Sequence, residues 1–355
     1  MKAIKLLSVL CGLGLIFVFN THCGSAPTVA EAKSLPVTEV KVEQPSAPAP
    51  ADKTGDNQME VLKQNAKKSL ELLQKMSYPE LYTKYLDLKT KEVIDFETMI
   101  SRLKGIQAVY VAESHTTVAH HDLQLKVLKR MRELNPKTAL AMEFLYRSKQ
   151  QITDDYMNGK ISDEEFDTKS VDGFGVYYKY YIDMLRYAKV NNIKTVGLNV
   201  EKPLKQKMAN MGWDKLTPEE QKLIAKDIDT SNEDHRKFVM DKFKGMMNAM
   251  GPIKNNSMLD RFYLMQCIWD ETFSETIANH LKAANDKDAQ VMIVLGSGHV
   301  DYKFNTPDRA YKRYQVPFRT IVPVETNKFN LVDYSELLFS TIGDFAYFSD
   351  MPKGE

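Results

Sequence analysis

Five short apolar runs, rich in β-branched residues and separated by amphipathic stretches, constrain this chain most: 108–112, 138–142, 195–198, 290–295 and 318–324. Runs so short and so continuously apolar read as strands buried on both faces. The helical patterns between them, clearest at 118–134 and 175–191, supply the covering layers. The expected fold class is therefore α/β, a mainly parallel sheet flanked by helices. Three further helices are expected before the first strand, at about 58–76, 80–90 and 94–104. The stretch 201–285 lacks a strand signal and reads as a helical insertion forming a smaller subdomain, with breaks near Gly212 and at Gly251 and Pro252.

The strands lead into polar residues. The first run ends at Glu113 and His115, the second at Glu143, the third at Asn199 and Glu201, and the fourth at Gly296, Ser297, Gly298 and His299. In an open parallel sheet, ligands bind beyond the carboxyl ends of the strands, so these exits together define a candidate site. Glu113 and His115, two residues apart, project to one side of an extended backbone. Such a pair can bind a metal ion, or the carboxylate can orient the imidazole; a plain helix-capping loop through Thr116 or Thr117 is the alternative. On the helix at 118–134 the buried stripe is His120, Leu123, Gln124, Val127, Leu128, Met131 and Leu134, with His121 toward its flank. The N-terminus of that helix favours an anionic ligand group. Glu143 follows an apolar strand and needs a partner there, Arg147 being one candidate. No P-loop, HExxH motif or nucleophile elbow is present.

At the start of the chain, Lys2 and Lys5 precede an apolar run at 6–19 that ends near Cys23, the pattern of an export signal with a lipid-modified cysteine. The small residues usual before such a cysteine are missing, and cleavage near Ala32 followed by secretion is the alternative. Residues 1–22 are thus assigned to the signal and 23–57, rich in Pro, Ala and Ser, to a flexible tether. The folded domain is expected over 58–355, with the insertion at 201–285. Cys267 is then the one cysteine of the folded part, so no internal disulfide is expected. With 48 basic and 47 acidic side chains the chain is close to neutral, which argues against a nucleic-acid partner.

These residues, in this order, resemble the ChaN-like haem-binding uptake family of the Tiki/TraB superfamily. The resemblance rests on Ala112 to His115, His120 to Gln124, Ala141 to Phe144, Gly197 to Asn199, Met265 to Glu271 and Leu295 to Val300, with Pro307 downstream. The glycine usual before the first glutamate is Ala112 here. The resemblance implies an envelope lipoprotein, anchored through Cys23 with the outer membrane as its expected site, that binds haem and serves haem or iron acquisition. It directs attention to His120, His121, Gln124, Tyr181, Asn199 and His299 as haem-binding residues, Tyr181 lying closest to where the family keeps a tyrosine. Tyr181 belongs to a cluster with Tyr177, Tyr178 and Tyr180, and a Met-rich segment at 240–265 offers padding or core filling. A homodimer holding haem between protomers is compatible with this reading. The same superfamily contains metal-dependent peptidases and esterases. On that alternative Glu113, His115 and His299 hold a divalent metal ion, with Glu143 as general base or fourth ligand.

Overall fold

The computed structural model describes residues 53–170, 178–248, 256–327 and 331–350. The expected signal with Cys23, the tether up to residue 52, Tyr177, Met250 and the break at Gly251 and Pro252 lie outside them. Eight strands form one sheet: β1 (Tyr85–Asp87), β2 (Glu92–Ile94), β3 (Ala108–Glu113), β4 (Thr138–Tyr146), β5 (Thr195–Asn199), β6 (Gln290–Gly296), β7 (Phe318–Glu325) and β8 (Phe345–Ser349). Their order is β2-β1-β8-β7-β3-β6-β4-β5. The six strands from β8 to β5 are parallel, and β1 and β2 add an antiparallel edge. The five expected strands are all present, and the expected α/β class holds.

Alternation along the strands divides the core in two. Tyr110, Ala141, Ile293 and Leu295 face a layer that includes Met265, Ile268, Phe273 and Ile277 of the helix Asn256–Ala284, with Leu204 and Met208 of the helix Lys202–Met211. Val109, Val111, Leu140 and Val294 face the other layer, with Val127, Leu128 and Met131 of the helix Val118–Leu134 and Tyr181, Met184 and Leu185 of the helix Tyr178–Val190. Both faces are covered, as a parallel sheet requires. Within 201–285 the regular elements of the described residues are all helices. The helices Glu233–Asn248 and Asn256–Ala284 enclose a small apolar cluster of their own, Val239, Met240, Phe262, Tyr263 and Cys267. Gly212 ends the helix Lys202–Met211 in the left-handed region at φ 95°.

The structure differs before β3. The first helix is Lys53–Leu73; the span 80–90 holds the end of a short helix, Tyr78–Leu81, and then β1; and the third helix is only Phe96–Ser101. The Asp87 carboxylate accepts the N–H groups of Lys89 and Thr90 at 2.9 and 3.0 Å and so closes a hairpin turn. Ser69 then covers the exposed edge: its hydroxyl donates to the Lys91 carbonyl at 2.8 Å and accepts the Val93 N–H at 3.1 Å. These local hydrogen bonds outweigh helix propensity in that segment. β8 escapes a sequence reading because it is an aromatic pentapeptide defined by its two neighbours.

Candidate functional site

All six parallel strands end at one edge, and the polar residues beyond them converge there from both faces of the sheet. Glu113 continues the face of Val109 and Val111 and points toward the helices Val118–Leu134 and Tyr178–Val190. Its Oε1 accepts from His115 Nδ1 at 2.7 Å and from the Tyr181 hydroxyl, and its Oε2 accepts from Gln124 Nε2 at 2.8 Å. His121 Nδ1 lies 3.3 Å from Oε2. Burial would raise the pKa of this carboxyl, but His121, His115 and Tyr181 prevail and hold it down at about 2. An ionised Glu113 therefore fixes the tautomer of His115, with Nδ1 as donor and Nε2 left for chemistry.

The turn that carries His115 is held from behind. The Ser114 N–H donates to His120 Nδ1 at 2.9 Å, so Nδ1 must be unprotonated, and Nε2 pairs with the Ser349 hydroxyl of β8 at 2.8 Å. Burial lowers the pKa of His120 to about 4, which keeps it neutral. His121 Nε2 lies 3.1 Å from the His115 carbonyl, within reach of an N–H donated to it. The cap expected from Thr116 or Thr117 does not form: Thr117 is the N-cap residue, but its side chain makes no capping hydrogen bond.

Glu143 sits at a bulge. Between Met142, paired with Gly197, and Tyr146, paired with Asn199, β4 advances four residues while β5 advances two. The extra backbone folds the Tyr146 carbonyl over Gly197, where a Cβ would lie 2.6 Å from that oxygen. Only glycine fits. Asn199 secures the bulge by donating from Nδ2 to the Glu143 carbonyl at 2.9 Å. The Glu143 carboxylate accepts the Gly296 N–H at 2.8 Å through Oε2, while Oε1 lies 3.9 Å from His115 Nε2 and 3.7 Å from His299 Nε2. Arg147, the partner expected for Glu143, instead pairs with Glu275 at 2.9 Å.

His299 arrives from the opposite layer. Its Nδ1 meets Asp270 Oδ1 at 2.7 Å, and Asp270 also accepts from Thr306 at 2.9 Å and faces His235 Nε2 at 3.2 Å. Asp270 is fully buried, which would favour its neutral form, yet His299 and His235 hold it well below the usual carboxylate range. His299 is buried as well, which opposes its charge, but Glu143 and Asp270 raise its pKa. The arrangement is thus two carboxylate–imidazole pairs, Glu113–His115 and Asp270–His299, with Nε2 atoms directed at a shared Glu143. Side-chain exposure separates floor from support: 12% for His115, 11% for Glu143 and 6% for His299, against 1% for Glu113 and 0% for Asp270.

All the expected site residues within the described region gather at this edge, but in different roles. His120, His121, Gln124 and Asn199 hold the backbone or Glu113 rather than face an opening. Tyr181 is also internal, stacked on Phe144 at 4.4 Å with its hydroxyl given to Glu113. Tyr178 and Tyr180 are half-buried, and Leu134, expected on the buried stripe, is 58% exposed. Both oxygens of Glu113 accept from side chains, Oε1 from His115 and Tyr181 and Oε2 from Gln124. Among the described residues no group of three His, Cys, Asp or Glu side chains is placed to hold a metal ion. Sequence reasoning missed His235, and it carried Asp270 only as part of the Met265 to Glu271 motif, without a role. The i, i+4 spacing of Gln266 and Asp270 was the available signal for a role of Asp270; nothing marked His235.

Comparisons with known proteins agree with this architecture. A family model described as haem-binding uptake, Tiki superfamily, ChaN matches residues 99–310. No curated protein matches the chain. A solved structure of cofacial haem binding to ChaN of Campylobacter jejuni superposes with a TM-score of 0.58 at 18% identity, covering 74% of this chain and 95% of that one. An erythromycin esterase in its open conformation gives 0.40 at 9% identity, covering 68% and 77%.

Proposed function

The chain belongs to the haem-binding uptake family of the Tiki superfamily, the family of ChaN, and on that footing we propose that it binds haem at the carboxyl edge of its sheet, with His115 as the imidazole nearest the iron. The observation that carries this assignment is the Glu113–His115 pair. A carboxylate on Nδ1 is how proteins orient a ligating histidine and raise its basicity, and His115 is the most exposed of the imidazoles at the site. Gly296 lets the strand exit pass close to the imidazole, since a Cβ there would lie 3.2 Å from His115 Cε1. Val118, 58% exposed in the next helix, adds apolar surface nearby. Haem supplies the iron; the protein supplies a fixed nitrogen donor and a surface for the macrocycle. Tyr181, held on Glu113, supports His115 in this reading. In the cell we place the protein in the envelope, anchored through Cys23, in haem or iron acquisition.

Titration of residues 53–355 with haemin tests the proposal. A Soret shift is expected for the wild type, lost in His115→Ala and retained in Tyr181→Phe at reduced affinity. No shift in a folded wild-type protein would refute haem binding, and an unchanged His115→Ala would refute the ligand.

A second reading is favoured by Glu143 lying between two carboxylate-backed imidazoles. Two imidazoles, each held on a buried carboxylate and flanking Glu143, supply the groups that general acid–base hydrolysis of an ester or amide requires. Turnover of ester substrates, abolished by Glu143→Gln while haem binding persists, would support it; an inert wild type would exclude it.

A further inference from the structure

The two imidazoles at Glu143 are held by unequal means. The His115 turn is fixed through Glu113 to Gln124 and Tyr181, on two helices that pack directly on the sheet. The His299 segment is gripped in addition by the helix Glu233–Asn248, whose Val239 and Met240 belong to the small apolar cluster apart from the sheet. Three residues of this helix stand at i, i+3 and i+7, on one face, and each touches the His299 segment or its support. His235 Nε2 lies 3.2 Å from Oδ2 of Asp270, the carboxylate that holds His299. The Phe238 ring meets Tyr302 and Phe304 edge-on, each at 5.5 Å, and those two rings stack on each other at 5.8 Å. Lys242 Nζ lies 3.2 Å from Asp301 Oδ2; Asp301 is buried, and the lysine charge offsets that burial.

The grip is separable from the rest of the fold. The helix does not close against its neighbour Asn256–Ala284: an open groove of about 350 Å³ lies there, lined by Arg236, Met240, Lys244, Leu259 and Asp260, with an Arg236–Asp260 ion pair across it. Tyr302 and Lys303 are consecutive non-glycine residues in the left-handed region, at φ 62° and 69°. Residues with bulky side chains take that conformation at a cost, so the turn after His299 keeps its shape only because its surroundings impose it. Phe238 and Lys242 are part of what imposes it, together with the Lys303–Asp344 ion pair at 2.7 Å. The edge itself is nearly closed, so a ligand of any size needs one wall to yield. We propose that the helix Glu233–Asn248 is a strap. Docked, it holds His299 beside Glu143; released, it frees the turn 299–304 and opens that wall while Glu113–His115 stays in place. The strap matters on the reading that this edge is the ligand site, but its tests need no ligand.

Two measurements on the full chain test it. In hydrogen exchange followed by mass spectrometry, the amides of Glu233–Asn248 should exchange through a local opening, at least about tenfold faster than those of β3 and β6. Lys242→Met, a change at an exposed side chain, should raise that rate about fivefold, the upper range for such an ion pair, and Lys242→Arg should restore it. The second measurement is ¹⁵N NMR of the histidine side chains, each signal assigned by its loss in the corresponding glutamine variant. Phe238→Ala and Lys242→Met should shift the His299 signals and leave those of His115 and His120 in place. Exchange in Glu233–Asn248 as slow as in β3 and β6 would mean that the helix opens only with the whole fold, and it overturns the strap. Faster exchange with unchanged His299 signals, or signals of all three histidines moving together, overturns the positioning of His299. A missing Soret shift with haemin bears on the ligand alone and leaves both results standing.

Discussion

His120 offers a test that depends on the geometry of the site and on no ligand. Its Nδ1 accepts the Ser114 N–H at 2.9 Å, so protonation would set two N–H groups against each other in a fully buried space. The folded protein therefore keeps it neutral down to about pH 4, against an ordinary value of 6.5. As the pH falls through that interval the unfolded chain takes up the proton first, and native stability falls with it. The full loss is about 3 kcal/mol, and the part between pH 7 and pH 5 is about 2 kcal/mol. His299, whose pKa is raised, works in the opposite sense, its contribution being present below the unfolded value and lost as the pH rises through the folded one. A single stability curve would mix the two. His120→Gln separates them, because glutamine keeps a donor and an acceptor but does not titrate. Urea unfolding at both pH values should show the wild type losing about 2 kcal/mol more than the variant on acidification. Equal losses in the two proteins would refute the neutral, Nε2-protonated assignment and, with it, the account of how the His115 turn is held.

Gly197→Ala should destabilise the protein by about 3 kcal/mol, because the atom met at 2.6 Å is a backbone carbonyl that cannot step aside. Thermal unfolding measures this, and a melting temperature within a degree of the wild type would show that the bulge relaxes. For the proposed anchor, Cys23→Ser should move the protein from the membrane fraction to the soluble fraction; an unchanged distribution would favour secretion after cleavage near Ala32.

Much of this fold was readable because parallel strands advertise themselves. The five buried runs appear within a residue or so of their expected ends, apart from the extension of β4 to Tyr146, and the helix Val118–Leu134 coincides with its periodic pattern. The short edge was not readable. β1, β2 and β8 are defined by side-chain hydrogen bonds and by pairing with each other, none of which leaves a period in the sequence. At the site, strand exits pointed to the right residues but not to their division of labour. Spacing shows that Glu113 and His115 lie on one side; it cannot show that Tyr181, 66 residues away from His115, will occupy the same carboxylate.

The two carboxylate–imidazole pairs are rooted in different layers, Glu113 among the helices on one side of the sheet and Asp270 among those on the other. Neither layer holds a complete site. A loosening of either one separates the imidazoles without disturbing the remaining pair, so competence at this edge acts as a coincidence detector for native packing on both sides. The same division lets substitutions in one layer adjust its imidazole while the other stays fixed. Drift in chemistry within a constant fold can therefore proceed one half at a time.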